Sequence, residues 1–167
     1  MSDKTSPLSW EFLAQIGLIT ALWSAIEAAM QIAILRIQEI DLPTGMVVTS
    51  ELGFRQRYNL LMTFANEPGG IEPETDALAL KSILTRIWDA YPKRNAVVHP
   101  LWVATDDPLV AKRIGIRAKG RLRVISEPVS IKELAKDAEE IRQIGSDLSA
   151  FMERKGLTPE GGMKNIT

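Results

Sequence analysis

The sequence predicts a mainly α protein: a bundle of four helices with a small β-hairpin inserted before the last one. Three observations predict it. Apolar residues recur in steps of three and four along four stretches of the chain, the spacing of one helix face. Clusters rich in proline and glycine separate the first three of these stretches. Between residues 101 and 126 the pattern changes to alternation, the period of a strand.

The first helix is expected to start near Ser9, with Ser6 or Ser9 as its cap and Pro7 at the entry. Phe12, Ile16, Ile19, Trp23, Ile26, Met30, Ile34 and Ile37 mark its apolar stripe, which runs to about Ile40. Asp41-Leu42-Pro43-Thr44-Gly45 is expected to break it. A second helix is expected over Ser50 to Ala65, with Phe54, Tyr58, Leu61 and Phe64 as its stripe and Glu67-Pro68-Gly69-Gly70 as its stop. A third begins near Glu72-Pro73-Glu74, where carboxylates suit the positive end of a helix. It runs through Leu80, Ile83, Leu84, Ile87 and Trp88, passes Pro92 and ends at Pro100. Leu101 to Ala104 reads as a short extended piece. Lys112 to Ile116 and Leu122 to Ile125 read as two strands, turning near Lys119-Gly120. The final helix is expected from Ser130 to Glu153, opened by the capping box Ser130-Ile131-Lys132-Glu133. The whole reads as one domain over residues 1–156, with a flexible Gly-rich tail over 157–167.

Composition excludes several chemistries. The chain has 167 residues, no cysteine and one histidine. A disulfide framework, thiolate metal sites and a histidine-rich zinc site are therefore out of reach. No signal peptide is evident, and a cytoplasmic address is expected, with no cofactor and no metal. The first helix carries a single charge, Glu27, between Glu11 and Arg36, so a membrane span has to be weighed. A carboxylate at the centre of a span costs roughly 3 kcal/mol on insertion scales, and Gln15, Thr20, Ser24 and Gln31 add polar groups. The expectation is a helix buried on most sides and outside any membrane, with one side free to meet a second copy of the chain.

The formal net charge of −1 hides an asymmetry. Residues 1–80 carry −6, residues 81–124 carry +7 and residues 125–167 carry −2. A positive segment of that kind points to a polyanionic partner, RNA or a nucleotide, unless it is only a solvated face.

The positive segment contains the one histidine, in the string Arg94-Asn95-Ala96-Val97-Val98-His99. Arginine grips phosphate with a fixed fork of donors. Histidine moves protons near neutral pH. Asparagine both donates and accepts. On a helix Asn95 and His99 share a face, whereas Arg94 and His99 lie about 140° apart. If the three converge, His99 can take the proton of a ribose 2′-hydroxyl or give one to the leaving oxygen. Arg94 can stabilise the charge that builds on phosphorus-bound oxygens, and Asn95 can hold the hydroxyl or orient the imidazole. That chemistry needs no metal. One histidine cannot easily be acid and base in a single step, which is a reason to expect a homodimer.

The string resembles the R-N-x-x-x-H motif of the HEPN superfamily (higher eukaryotes and prokaryotes nucleotide-binding). The resemblance covers the bundle layout from about residue 10 to 155, with the specific match in six residues. It implies a bundle of four or five helices, often dimeric, with the motif late in a helix. Active members are metal-independent endoribonucleases of toxin–antitoxin, phage-defence or CRISPR-associated systems, in which the arginine and histidine are catalytic and the polar residue after the arginine assists. It thus implies catalytic roles for Arg94, Asn95 and His99, and allows a cognate antitoxin. Trp102, three residues beyond the histidine, and a hairpin before the last helix are similar to one bacterial branch. Pro100 departs from the glycine that often follows the histidine. A non-catalytic dimer that binds nucleotide, RNA or a partner protein is the alternative.

Other residues carry two readings each. Glu27 on an apolar stripe needs a partner: with Arg94 it would belong to the site, with Arg57 it would be structural, and the latter is favoured. Trp88 reads as core, while Trp102 could stack on a base. Arg113, Arg117, Lys119, Arg121 and Arg123 alternate along the hairpin, so they fall on one face. That face could track phosphates or merely guard an edge.

Overall fold

A computed structural model describes residues 8–118 and 122–158. Its order is α1 (Trp10–Ile37), α2 (Leu42–Thr49), α3 (Phe54–Asn66), α4 (Glu74–Val98), β1 (Leu101–Ala104), β2 (Val110–Ala118), β3 (Leu122–Ser130) and α5 (Ile131–Arg154). The protein is mainly helical, with a small antiparallel sheet before its last helix. The strands follow the order β1-β2-β3, so the expected hairpin gains a third strand from the extended piece at Leu101.

The ends of the helices follow from local chemistry. α1 stops in a Schellman motif: Ile40 N donates to Leu35 O at 2.9 Å, Glu39 N donates to Arg36 O, and Glu39 has a positive φ of 53°. The segment after it is more than a break. Asp41 Oδ1 accepts from Thr44 N at 3.0 Å, and Pro43 sits in the first turn, so the residues that stop α1 also start the short helix α2. The next helix accordingly begins at Phe54 and not at Ser50. Ser50 closes α2, and Gly53 opens α3 with its N–H on Gln56 Oε1 at 2.7 Å. α4 runs through Pro92 and ends before Pro100, as expected. α5 opens on the Ser130–Glu133 capping box and ends with Gly156 at φ 66°.

The chain forms two compact units. The first holds the residues up to Leu22 together with Ala90–Arg142, and the second holds Trp23–Asp89 together with the residues from Gln143. In the first, Phe12, Ile19, Val97, Leu134 and Ile141 are buried, as are the sheet residues Ala111 and Val129. Lys93 ties α4 to α5 through Glu140 and Asp137. In the second, Trp23, Ile26, Met30, Leu61, Leu80, Leu84, Ile87, Leu148 and Phe151 form the core. Its two buried polar residues among those described satisfy each other: Gln31 Nε2 donates to Thr49 Oγ1 at 2.7 Å, and Thr49 donates on to Gly45 O at 2.7 Å. Trp88 stacks with Phe54 and Tyr58 and keeps 39% of its surface exposed. It therefore lies at the edge of the core and not inside it.

α1 is long and apolar enough to cross a membrane by length and composition, at mean hydropathy 1.7 over its best window, of which 44% is buried.

Candidate functional site

The string at residues 94–99 forms the last turn of α4 and the first residue beyond it. His99 N still donates to Asn95 O at 3.2 Å, but the helix proper ends at Val98. Pro100 follows directly, and a proline disfavours helical geometry at the residue before it. The long Arg94 side chain spans the angular separation that an ideal helix imposes between it and His99. Arg94 Nη1 lies 3.1 Å from Asn95 Oδ1 and 3.4 Å from His99 Nε2. The three side chains converge. A guanidinium only donates, so this contact is a hydrogen bond in the tautomer that leaves Nε2 without a proton. Arg94 Nε is buried and makes no hydrogen bond among the described residues. His99 is exposed.

Two residues of the sheet hold the end of α4. A helix leaves its last carbonyls without internal partners. Trp102 Nε1 donates to Val97 O at 2.9 Å, and Arg113 Nη1 lies 3.5 Å from Ala96 O. α4 has no basic residue in its own last turn, so Arg113 supplies from β2 the cation that favours the negative end of a helix. The Trp102 ring packs edge-on against Phe12 with centroids 5.2 Å apart. Its indole is thus engaged on both its polar and its apolar side.

The register explains why Arg113 reaches this place. Trp102, Arg113 and Glu127 are direct cross-strand partners on one face of the sheet. Arg123 falls on the same face by period two, and its side chain is exposed. Arg117 stands opposite Arg123 in the register. Lys119 and Arg121 lie outside the described residues. The register puts positions 113, 117 and 123 on one face, and at Arg113 that face packs toward α4. The opposite face carries Leu101, Ile116 and Val124, which remain 65–70% exposed.

Arg113 Nη2 lies 2.6 Å from Glu127 Oε2. A cleft of about 230 Å³ opens here, lined by Asn95, His99 and Pro100 on one side and by Arg113, Gly115, Ile125 and Glu127 on the other. Arg94 is not among its lining residues. Lys93 is engaged elsewhere, on Glu140 and Asp137, and the hydrogen bond to Glu140 holds its ammonium above the usual lysine range. Glu127 lies beyond the strand end expected at Ile125, so the sequence pattern missed it. Continuing the period through Arg123, Ile125 and Glu127 would have found it.

Glu27 sits in the other unit. It accepts from Trp23 Nε1 at 2.8 Å and faces Arg57 at 4.0 Å. Arg57 also donates to Thr49 O at 3.4 Å. Of the two partners weighed for Glu27, Arg57 is the one that it faces within its own unit. No three His, Asp or Glu side chains gather into a metal-binding group among the described residues.

No family model matches the chain, and neither a curated protein nor a solved structure matches it.

Proposed function

We propose that this protein is a metal-independent endoribonuclease of the HEPN type, a helical bundle that works as a homodimer in the cytoplasm without a cofactor. The observation that supports the reading is the convergence of Arg94 on Asn95 Oδ1 and His99 Nε2, at 3.1 and 3.4 Å. The exposed His99 imidazole stands beside the guanidinium that would meet a phosphate. With RNA bound, Nε2 takes the proton of a 2′-hydroxyl, that oxygen attacks the adjacent phosphorus, and the bond to the 5′-oxygen breaks. The products are a 2′,3′-cyclic phosphate and a free 5′-hydroxyl. Arg94 moves its donors from the imidazole to the phosphoryl oxygens as charge develops there. Asn95 keeps Arg94 aimed. The leaving oxygen takes its proton from solvent or from the histidine of a second copy. The exposed Arg123 and the basic positions beyond it would draw the strand in. A toxin or phage-defence role, with an antitoxin as partner, follows from the same resemblance.

The test is single-turnover cleavage of a mixed RNA pool by wild type, His99→Ala and Arg94→Lys. Loss of the proton-transfer group is expected to slow cleavage by about 10²–10⁴-fold. Arg94→Lys keeps the charge but not the fork, and is expected to be slow as well. Cleavage by His99→Ala at the wild-type rate would overturn the assignment. The unfolding midpoints of both variants are expected to match wild type, because His99 is exposed and neither residue is part of an apolar core.

A further inference from the structure

The cleft beside His99 has features that a phosphate-cutting site alone does not require. Gly115 sits in the middle of β2, opposite Ile125. Glycine in a strand weakens it and often marks close approach of a ligand. A Cβ placed at Gly115 would meet no atom within 4 Å, so sterics in the protein do not explain the glycine. Its absent side chain leaves room in the cleft, whose lining also includes Ile125 and Pro100. At about 230 Å³ the cleft is smaller than the roughly 300–1,000 Å³ pockets that enclose a drug-sized molecule. It takes one planar ring system, not a base pair.

The polar wall of the cleft is the Glu127 carboxylate, half exposed at 52% and bonded to a guanidinium. Guanine presents that same fragment on its Watson–Crick edge: N1–H and the N2 amino group flank one carbon and point the same way. A carboxylate that holds a guanidinium can hold that edge. Adenine and cytosine offer one amino group beside a ring nitrogen that repels a carboxylate. Uracil offers one N–H between two carbonyls. We infer that the cleft binds one unpaired guanine base next to the scissile phosphate, and that Glu127 reads it. This deepens the ribonuclease reading and rests on it. The base takes the place of Arg113 on Glu127, and the released Arg113 becomes a cation for the neighbouring phosphate. Unpaired bases splayed into protein pockets and read on this edge are the usual means of sequence-specific RNA recognition.

The experiment uses four short single-stranded RNAs that differ in one central base, each also made with 2′-deoxyribose throughout as a non-cleavable probe. Wild type is expected to cleave the guanine strand at least about tenfold faster, and to bind its deoxy form at least about tenfold tighter, than the uracil equivalents. Glu127→Gln loses the preference. Gly115→Val fills the cleft with a strand-favouring side chain, so it keeps the wild-type unfolding midpoint and loses the preference. Equal cleavage and equal binding of all four strands by wild type would overturn the base pocket and leave the nuclease standing. A preference that survives in Glu127→Gln would overturn the role of that residue. Guanine-selective binding without any cleavage would keep the pocket and sink the nuclease. Neither cleavage nor selective binding would sink both.

Discussion

Replacing Trp102 with phenylalanine separates what holds the fold from what aims the site. Phenylalanine keeps an aromatic ring facing Phe12 but has no N–H for Val97 O, which now receives a 2.9 Å hydrogen bond. Losing such a bond costs about 0.5–1.5 kcal/mol, and up to about 3 kcal/mol if the carbonyl stays buried without a partner. At roughly 2–4 °C per kcal/mol for a chain of this size, the thermal midpoint should fall by about 1–12 °C. The larger effect is expected in the chemistry. Val97 is two residues before His99, and the three convergent side chains come from the end of α4 and the first residue beyond it. A displacement of about 1 Å in such a group can slow a reaction about 10²-fold. Trp102→Phe should therefore slow single-turnover RNA cleavage by about tenfold or more at a temperature where the variant is fully folded. Phe12→Leu, which removes the ring contact and leaves the indole bond, should lower the midpoint and spare the rate. The assay pairs a thermal unfolding curve with a cleavage time course for each variant. If Trp102→Phe loses stability as stated but cleaves at the wild-type rate, the indole bond does not position His99. A stacking role for Trp102 would give the opposite pattern from positioning, since phenylalanine still stacks and only Trp102→Ala would raise KM.

The remaining predictions concern stability and charge. Thr49→Val should lower stability by about 1–3 kcal/mol in urea unfolding, because it leaves the buried Gln31 amide without its partner; adding Gln31→Leu should recover part of the loss. Among the described residues four carboxylates are held below their usual range: Asp41 by the N–H of Thr44, Asp76 by Lys155, Glu133 by the N–H of Ser130, and Asp147 by Arg86 and then Gln143. Their contribution is present above the unfolded value of about 4 and is lost as pH falls through the lower folded values, so the urea midpoint should drop below about pH 4; Asp147→Asn should remove part of that drop. Lys93 runs the other way, its contribution present below about pH 10.4 and lost as pH rises through its raised folded value. Arg123→Gln should reduce the slope of log binding constant against log salt for a single-stranded RNA by about 0.7, the share of one phosphate contact.

The helical stretches are legible because their apolar spacing is regular and their stops are chemical. Asp41 to Gly45 reads only as an interruption, since Pro43 and Gly45 signal a stop more strongly than Asp41 signals a start. The expected start at Ser50 is likewise early, because Gly53, the residue that opens α3, carries no side chain to signal a cap. The strand period assigns Arg113 and Arg123 to one face but cannot say which face is packed. Apolar Ile116 and Val124 would ordinarily turn inward, yet they are exposed, and the face with arginines meets the end of α4. The motif itself is legible as six residues. Its convergence is not, because an ideal helix sets Arg94 and His99 about 140° apart, and the spacing alone does not say that the arginine reaches round to within 3.4 Å of the imidazole. Glu127 is hidden wherever the last strand is ended at Ile125.

Whether this chain cuts RNA without a metal is decided by incubating the wild-type protein with a mixed RNA pool in EDTA and identifying the ends of the products. The expected result is cleavage that leaves 2′,3′-cyclic phosphates and 5′-hydroxyls and that disappears in His99→Ala. Intact RNA with a folded wild-type protein, or products ending in 3′-hydroxyls and 5′-phosphates, would contradict it.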